Sequence, residues 1–239
     1  MIKTALVTGG SGGIGSAIVK KLTEEGWYCA FSWNRGKERA ERLAEETGAL
    51  AIQGDLTRGE DAARIAAQAR ERMGVVTLLV NNAGIGEHRL FTEIAEAEWD
   101  RLFAVNVKGA YLMARELLPQ MLERRQGSIV NISSIWGESG AAMEVCYSAA
   151  KAALIGMTKA LAKEVGPSGV RVNCVTPGVI TTAMNSAYSP EEMAALQEET
   201  PLMRIGRPED VAEAVAYLAA EKSSFVTGQV LRVDGGFLL

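Results

Sequence analysis

Apolar positions along the chain follow two alternating rhythms. Short β-branched runs at 2–7, 27–33, 49–53, 75–80, 128–133, 169–175 and 230–233 read as buried strands. Between them the apolar spacing is helical. Ala17, Ile18 and Leu22 share one face of SAIVKKLTEEG, and Trp99, Leu102, Phe103, Val105, Val107, Tyr111 and Leu112 recur along one long helix over 96–121. Further helices are read in KERAERLAEET, in GEDAARIAAQARERM, over 145–166, and from Pro208 through Ala220, where proline takes a permitted first-turn place. This βαβα alternation predicts an α/β chain: a doubly wound parallel sheet of about seven strands with helices on both faces. No linker or low-complexity segment divides it, so 1–239 is expected to be a single domain. Residues 179–206 break the rhythm with turn residues, one short helix near PEEMAALQEE and no strand. So long an excursion predicts a substrate lid.

Composition narrows the class. At 239 residues, 48% hydrophobic and 23% charged, the chain can bury a full core. No apolar run approaches the ~20 residues that span a bilayer. MIKTALVTGG leads straight into a strand and a glycine cluster, without the layout of a secretory leader. Cys29, Cys146 and Cys174 are widely spaced and odd in number, which predicts a reduced, cytoplasmic protein. With one histidine, His88, and no Cys-x-x-Cys, no metal site is expected, and a Ser–His–Asp hydrolase would have to rest on His88 alone. Net charge is −4 and basic residues are interspersed with acids, so neither nucleic acid nor a membrane is an expected partner.

Candidate chemistry gathers at the predicted strand ends. GGSGGIG lies between a strand and a helix N-terminus, where glycines let the backbone approach a pyrophosphate and free N–H groups meet it. The spacing Gly9-x-x-x-Gly13-x-Gly15 differs from Gly-x-Gly-x-x-Gly, and a plain βα turn is the alternative. The flanking elements favour a dinucleotide and a Rossmann fold. The second strand ends in Trp33, Asn34 and Arg35, with no carboxylate before Glu38, which favours a 2′-phosphate and hence NADP(H) over NAD(H). A solvated loop cation is the other reading of Arg35. Asp55 suits either an adenine edge or the cap of the next helix. Asn82, Ala83 and Gly84 suit a cofactor lying across the sheet, and equally an ordinary turn. Asn106 interrupts its apolar helix and needs hydrogen-bond partners if it is buried. Tyr147 and Lys151 share a helix face at i and i+4. An ammonium there would lower the phenol's pKa from ~10 and make it a general acid or base. The same spacing also serves plain helix support.

Together these motifs resemble the short-chain dehydrogenase/reductase family over essentially the whole chain. PLMRIGRPEDVAEAVAYLA and SSFVTGQVLRVDGG are similar to its bacterial 3-oxoacyl-[acyl-carrier-protein] reductase group. The resemblance implies reduction of a small-molecule or carrier-linked ketone to a secondary alcohol with NAD(P)H. Tyr147 would protonate the carbonyl oxygen and Lys151 would lower its pKa and hold the nicotinamide ribose. Ser134, rather than Ser133, would bind the substrate oxygen, and Asn106 would position a water leading to Lys151. Gly9, Ser11, Gly13, Ile14, Gly15, Asn34, Arg35, Asp55, Leu56, Asn82, Ala83, Gly84, Val105, Pro177, Gly178, Ile180 and Thr182 would line the cofactor with Tyr147 and Lys151. Homotetramers or homodimers would pair the helices at 96–121 and 145–166. Many NADP-dependent members carry a basic residue in the glycine motif where this chain has Gly12, so Asn34 and Arg35 carry the preference here. Trp136 and Glu144, expected in the substrate pocket, depart from the usual reductase wording. SSIWGESGAAMEVCYSAAK is similar to a Firmicute branch described as elongation factor P 5-aminopentanone reductases, which act on a ketone attached to a lysine. Glu144 would favour a cationic substrate, or equally complement a helix N-terminus. A carrier protein would need a basic patch, for which Arg124, Arg125, Arg204 and Arg207 are the candidates. A nucleotide-binding protein without catalysis is the alternative of another class, and the complete Ser134, Tyr147 and Lys151 set speaks against it.

Overall fold

The computed structural model describes residues 3–183 and 188–239. Ile2, at the start of the first predicted strand, and positions 184–187 of the predicted lid lie outside the described residues. Seven strands form one parallel sheet: β1 (Thr4–Val7), β2 (Tyr28–Trp33), β3 (Leu50–Gln53), β4 (Leu78–Asn81), β5 (Gly127–Ile132), β6 (Val170–Pro177) and β7 (Val230–Val233). Their order is β3-β2-β1-β4-β5-β6-β7, so the chain reverses direction across the sheet between β1 and β4. That crevice is where a doubly wound sheet takes its ligand.

Period-two alternation in the strands sorts their side chains to two faces. Ala5, Val7, Phe31, Val80 and Val130 face a core built with α1 (Gly13–Glu24) and α9 (Pro208–Ala219), through Ile18, Leu22, Val211 and Val215. Leu6, Leu79, Ile129 and Val172 face the other way. They pack on Ile65 of α3 (Gly59–Met73), on Met113 and Leu117 of α5 (Gly109–Glu123), and on Ala162 and Val165 of α7 (Val145–Val165). The remaining helices are α2 (Lys37–Thr47), α4 (Glu96–Phe103), a single turn α6 (Trp136–Ser139), and α8 (Pro190–Glu198) within the excursion.

Two predicted elements are corrected. The fourth strand begins at Leu78, not at Val75, because the Thr4 and Thr77 hydroxyls tie residues 75–77 to β1: Thr4 donates to the Val75 carbonyl and Thr77 to that of Thr4. The long helix is also not uniform. Between α4 and α5 the backbone widens into a π turn at Ala104–Lys108, centred on Asn106, the residue that breaks the apolar pattern. The excursion after β6 is pinned at its base by a bridge between Ile180 and Gly206. Its helix α8 starts at a capping box, Ser189 accepting from the Glu192 N–H and Glu192 from that of Ser189.

Candidate active site

Each strand of the β1–β6 series ends at one edge of the sheet, and the predicted site residues follow those ends. Gly9, Ser11, Gly13, Ile14 and Gly15 form the turn after β1 and the start of α1. Asn34 and Arg35 follow β2, Asp55 and Leu56 follow β3, and Asn82, Ala83 and Gly84 follow β4. Ser134 follows β5, Pro177 ends β6, and Gly178, Ile180 and Thr182 come after it. Val105 and Asn106 arrive from the π turn. A small cleft of about 80 Å³ is lined by Gly9, Asn34, Asp55, Leu56, Ala83 and Val105, among others.

The fit to a dinucleotide rests on how closely the backbones approach. Gly9 has φ +64°, and a Cβ there would stand 2.9 Å from the Cα of Ala83. A Cβ on Gly13 would stand 2.9 Å from the Thr182 methyl, so the two ends of the predicted cradle face each other. Gly12, at the start of α1, offers no side-chain cap, which leaves the first N–H groups of the helix for an anion. The turn is braced from β4. Thr8 Oγ1 accepts from the N–H groups of Asn82 and Ala83, both at 2.9 Å, while the Asn82 amide donates to the Thr8 and Gly9 carbonyls. Asn82 therefore shapes the cradle through backbone contacts, and Thr8, a motif residue with no assigned part in the sequence reading, is its partner.

Of the two readings of Asp55, the helix cap is not what the structure shows. Its carboxylate closes a local turn by accepting from the N–H and hydroxyl of Thr57, and those bonds hold it below the usual carboxylate range. The residue before α3 is Arg58, so Asp55 is not its cap, yet it still lines the cleft. Arg35 is exposed, and beside it the Arg39 guanidinium folds over Gly36, about 3 Å from where a Cβ would lie. Arg39 was not singled out by sequence, because its i+4 relation to Arg35 reads as an ordinary charged helix.

The candidate catalytic cluster lies beneath the ends of β5 and β6. Lys151 is buried, its ammonium donating to the Ile132 carbonyl at 2.9 Å and standing 5.5 Å from the Tyr147 ring centroid. Asn106 is 1% exposed, and its amide donates to the carbonyls of Ile85 and Leu102. Its Oδ1 has no hydrogen-bond partner among the described residues. A Cβ on Gly84 would lie 2.6 Å from that oxygen and 3.2 Å from Lys151 Nζ, so glycine keeps open a polar gap between the two groups. Gly84→Ala should fill the gap and lower turnover by about ten-fold or more, with the far-ultraviolet spectrum unchanged. Turnover equal to wild type would show the gap has no part in the reaction.

Burial dominates the ionisation of both the phenol and the ammonium. Burial pushes the Tyr147 pKa up; a hydrogen bond with Ser134 eases it, and the charges of Glu144 and Tyr188 add to the rise. Burial also pulls Lys151 down to about 8, against a smaller opposing effect of Cys174. The i, i+4 pair shares its face as predicted, and desolvation is the largest cause of both shifts.

Five segments of the chain contribute side chains near the phenol or packed on its neighbours. Glu144 directly precedes α7 but makes no capping bond. Instead the Tyr188 hydroxyl donates to its carboxylate at 3.3 Å, and burial raises its pKa. His88, from the loop after β4, sits 6.0 Å from the Tyr188 ring. Trp136 packs edge-on against Phe237 of the C-terminal segment at 5.7 Å. Tyr188, His88 and Phe237 are the neighbours that sequence reading missed, since only the fold brings such distant positions together. The candidate basic residues divide into two groups, with Arg204 and Arg207 together at Asp210. Arg124 and Arg125 precede β5, at the far edge of the sheet, and Arg204 is held by both carboxylate oxygens of Asp210. Arg207 precedes α9.

A doubly wound sheet carrying a glycine turn at its crevice and a buried Ser–Tyr–Lys cluster beside it defines an enzyme of the α/β oxidoreductase class. A family model described as enoyl-(acyl carrier protein) reductase matches residues 9–238. The 3-oxoacyl-[acyl-carrier-protein] reductase of Staphylococcus epidermidis is 38% identical over 100% of both chains. An uncharacterized oxidoreductase, YmfI of Bacillus subtilis, is 38% identical over 99% of each. A solved short-chain dehydrogenase/reductase of Serratia marcescens superposes with a TM-score of 0.93 at 34% identity, covering 99% of this chain and 98% of that one. A Brucella melitensis structure described as ribose-5-phosphate isomerase gives 0.93 at 36%, covering 100% and 93%. The chain belongs to the short-chain dehydrogenase/reductase family and is an oxidoreductase acting on a ketone or alcohol.

Proposed function

We propose that the protein reduces a ketone to a secondary alcohol, with Tyr147 as proton donor and NADPH as cofactor. The observation that carries this is the buried Ser134–Tyr147–Lys151 cluster at the edge where the glycine turn opens. Residues 9–15, 82–84 and 177–182 would hold the dinucleotide, and Arg35 and Arg39 would meet a 2′-phosphate. Neither arginine has an ion-pair partner among the described residues, which supports NADPH over NADH. When bound, the cofactor supplies the hydride. The chain supplies the rest. Ser134 donates a hydrogen bond to the carbonyl oxygen and stabilises its developing charge. Tyr147 keeps its proton at neutral pH and delivers it to that oxygen. Lys151 and Asn106, facing across the gap at Gly84, provide the polar route by which the phenol regains a proton. The described parts of the excursion, 179–183 and 188–206, would cover the substrate, and the enzyme acts in the cytoplasm as a dimer or tetramer built on the helices at 96–121 and 145–166.

The first substrate reading is a carrier-linked 3-ketone, as in the Staphylococcus relative's name. One observation favours a second, a ketone bearing an ammonium group such as the 5-aminopentanone modification of elongation factor P. Glu144, partly buried beside Tyr147, is a carboxylate without a basic partner at hydrogen-bond distance among the described residues. Arg89, whose N–H donates to the Met143 carbonyl, is already matched by Glu87 and Glu98, and His88 acts on Glu144 only through its charge. Side-by-side turnover decides: preference for the aminoketone, lost by about ten-fold in Glu144→Gln, supports the second reading. Preference for the carrier-linked ketone, unaffected by that change, supports the first. Failure to bind 2′,5′-ADP or to turn over any ketone would remove both.

A further inference from the structure

We infer that Ser133 is a positioning residue for Lys151: the end of β5 grips both ends of that lysine, the Ser133 hydroxyl holding its backbone and the adjoining Ile132 carbonyl its ammonium. The inference deepens the reading of Lys151 as part of the proton-transfer site. Ser133 is 3% exposed, and its hydroxyl donates to the Lys151 carbonyl at 2.7 Å. Lys151 Nζ donates to Ile132 at 2.9 Å. A carbonyl in the middle of a helix already accepts from the N–H four residues on. The bond from Ser133 is thus an added restraint on α7 at this one residue.

A second contact bears on the same peptide. A Cβ on Gly137 of α6 would lie 2.8 Å from the Lys151 carbonyl carbon and 2.8 Å from Ser133 Oγ. Backbone therefore presses on the lysine from α6 while the serine holds it from β5. Two turns along α7, the Asn131 amide donates to Thr158 Oγ1 at 2.8 Å, so three consecutive residues of β5 and its exit set the seating of this helix. The titratable groups nearest the ammonium are Cys174 from β6 and Tyr147 from α7, with Glu144 and Tyr188 acting on the phenol. Loss of the grip would let the ammonium drift from Ile132 toward solvent and raise its affinity for protons.

The test compares wild type, Ser133→Ala, Ser133→Thr and Gly137→Ala, with Thr158→Val as a change that loosens α7 without touching Lys151. The Lys151 side chain is titrated by carbon NMR in the free protein, assigned by its loss in Lys151→Arg. Turnover of the ketone is followed against pH. In Ser133→Ala and Gly137→Ala the Lys151 pKa and the alkaline limb of kcat should rise by about half a unit or more, and kcat should fall by about ten-fold with the ketone KM little changed. Ser133→Thr, which keeps the hydroxyl, should restore both. Thr158→Val should lower the melting temperature and leave the pKa in place. An unchanged Lys151 pKa in Ser133→Ala overturns the inference, and if that variant does not fold, an unchanged pKa in Gly137→Ala does so. Wild type without turnover would remove the functional reading, while the titration would still decide this one.

Discussion

Tyr147→Phe is expected to lower ketone reduction by about 10²- to 10⁴-fold, the usual contribution of a positioned general acid. The phenol is 8% exposed, and burial holds it protonated far into the alkaline range. That does not spoil it as an acid for this reaction. The oxygen it serves becomes an alkoxide as hydride arrives, comparable in basicity to the conjugate base of water (pKa ~15.7), so the transfer remains downhill. The same burial disfavours the reverse reaction at neutral pH, because alcohol oxidation needs the phenolate. Phenylalanine keeps the ring packed on Leu102, Cys146 and Ala150 and removes the hydroxyl alone. Cofactor binding, followed by nicotinamide fluorescence, should therefore survive while single-turnover reduction collapses. A variant within about ten-fold of wild type would exclude Tyr147 as the proton donor.

The second large effect is expected from Lys151→Met, in opposite directions for activity and stability. Lys151 is buried, its ammonium donating to the Ile132 carbonyl, and burial lowers its pKa to about 8 from the ordinary 10.5. Between those two values the unfolded chain binds more protons at this residue than the folded one, so its contribution makes stability rise with pH through that window. Below about pH 8 the destabilisation is present in full. A methionine fills similar volume without the charge. Replacing poorly compensated buried charge by apolar groups is worth roughly 1–3 kcal/mol, several degrees in a chain of this size. At pH 7 the variant should melt higher than wild type, and the gap should narrow as pH rises past 8. Turnover should drop by about two orders of magnitude or more. A variant that melts lower at pH 7 would show that the ammonium stabilises the fold, contrary to this account.

The fold was largely legible because its signals are local. The two rhythms of apolar residues place all seven strands within a few residues, and β7 at its observed bounds. The misplaced start of β4 has a local cause that periodicity does not register, the hydroxyl bonds between Thr4, Val75 and Thr77. Asn106 was visible as a break in its helix, but a π turn follows from which carbonyls the side chain reaches, Ile85 and Leu102, and one of these belongs to another segment.

Residue types and spacing also supplied the side chains to which the proposed chemistry is assigned. Tyr147 and Lys151 share a face by helical geometry alone, and the small residues after β1 and β4 meet because parallel strands deliver their ends to one edge. What the sequence could not decide is how those groups ionise, since the sign of a pKa shift depends on desolvation against neighbouring charge, and burial is a property of the packed chain. It could not decide the surroundings either. Tyr188 reaches Glu144 across 44 positions, and Ser133, set aside in favour of its neighbour, holds the carbonyl of Lys151 across 18. Such contacts are products of long-range packing, so the kind of reaction could be read along the chain, whereas the protonation states and the supports of the reacting groups were fixed by the tertiary structure.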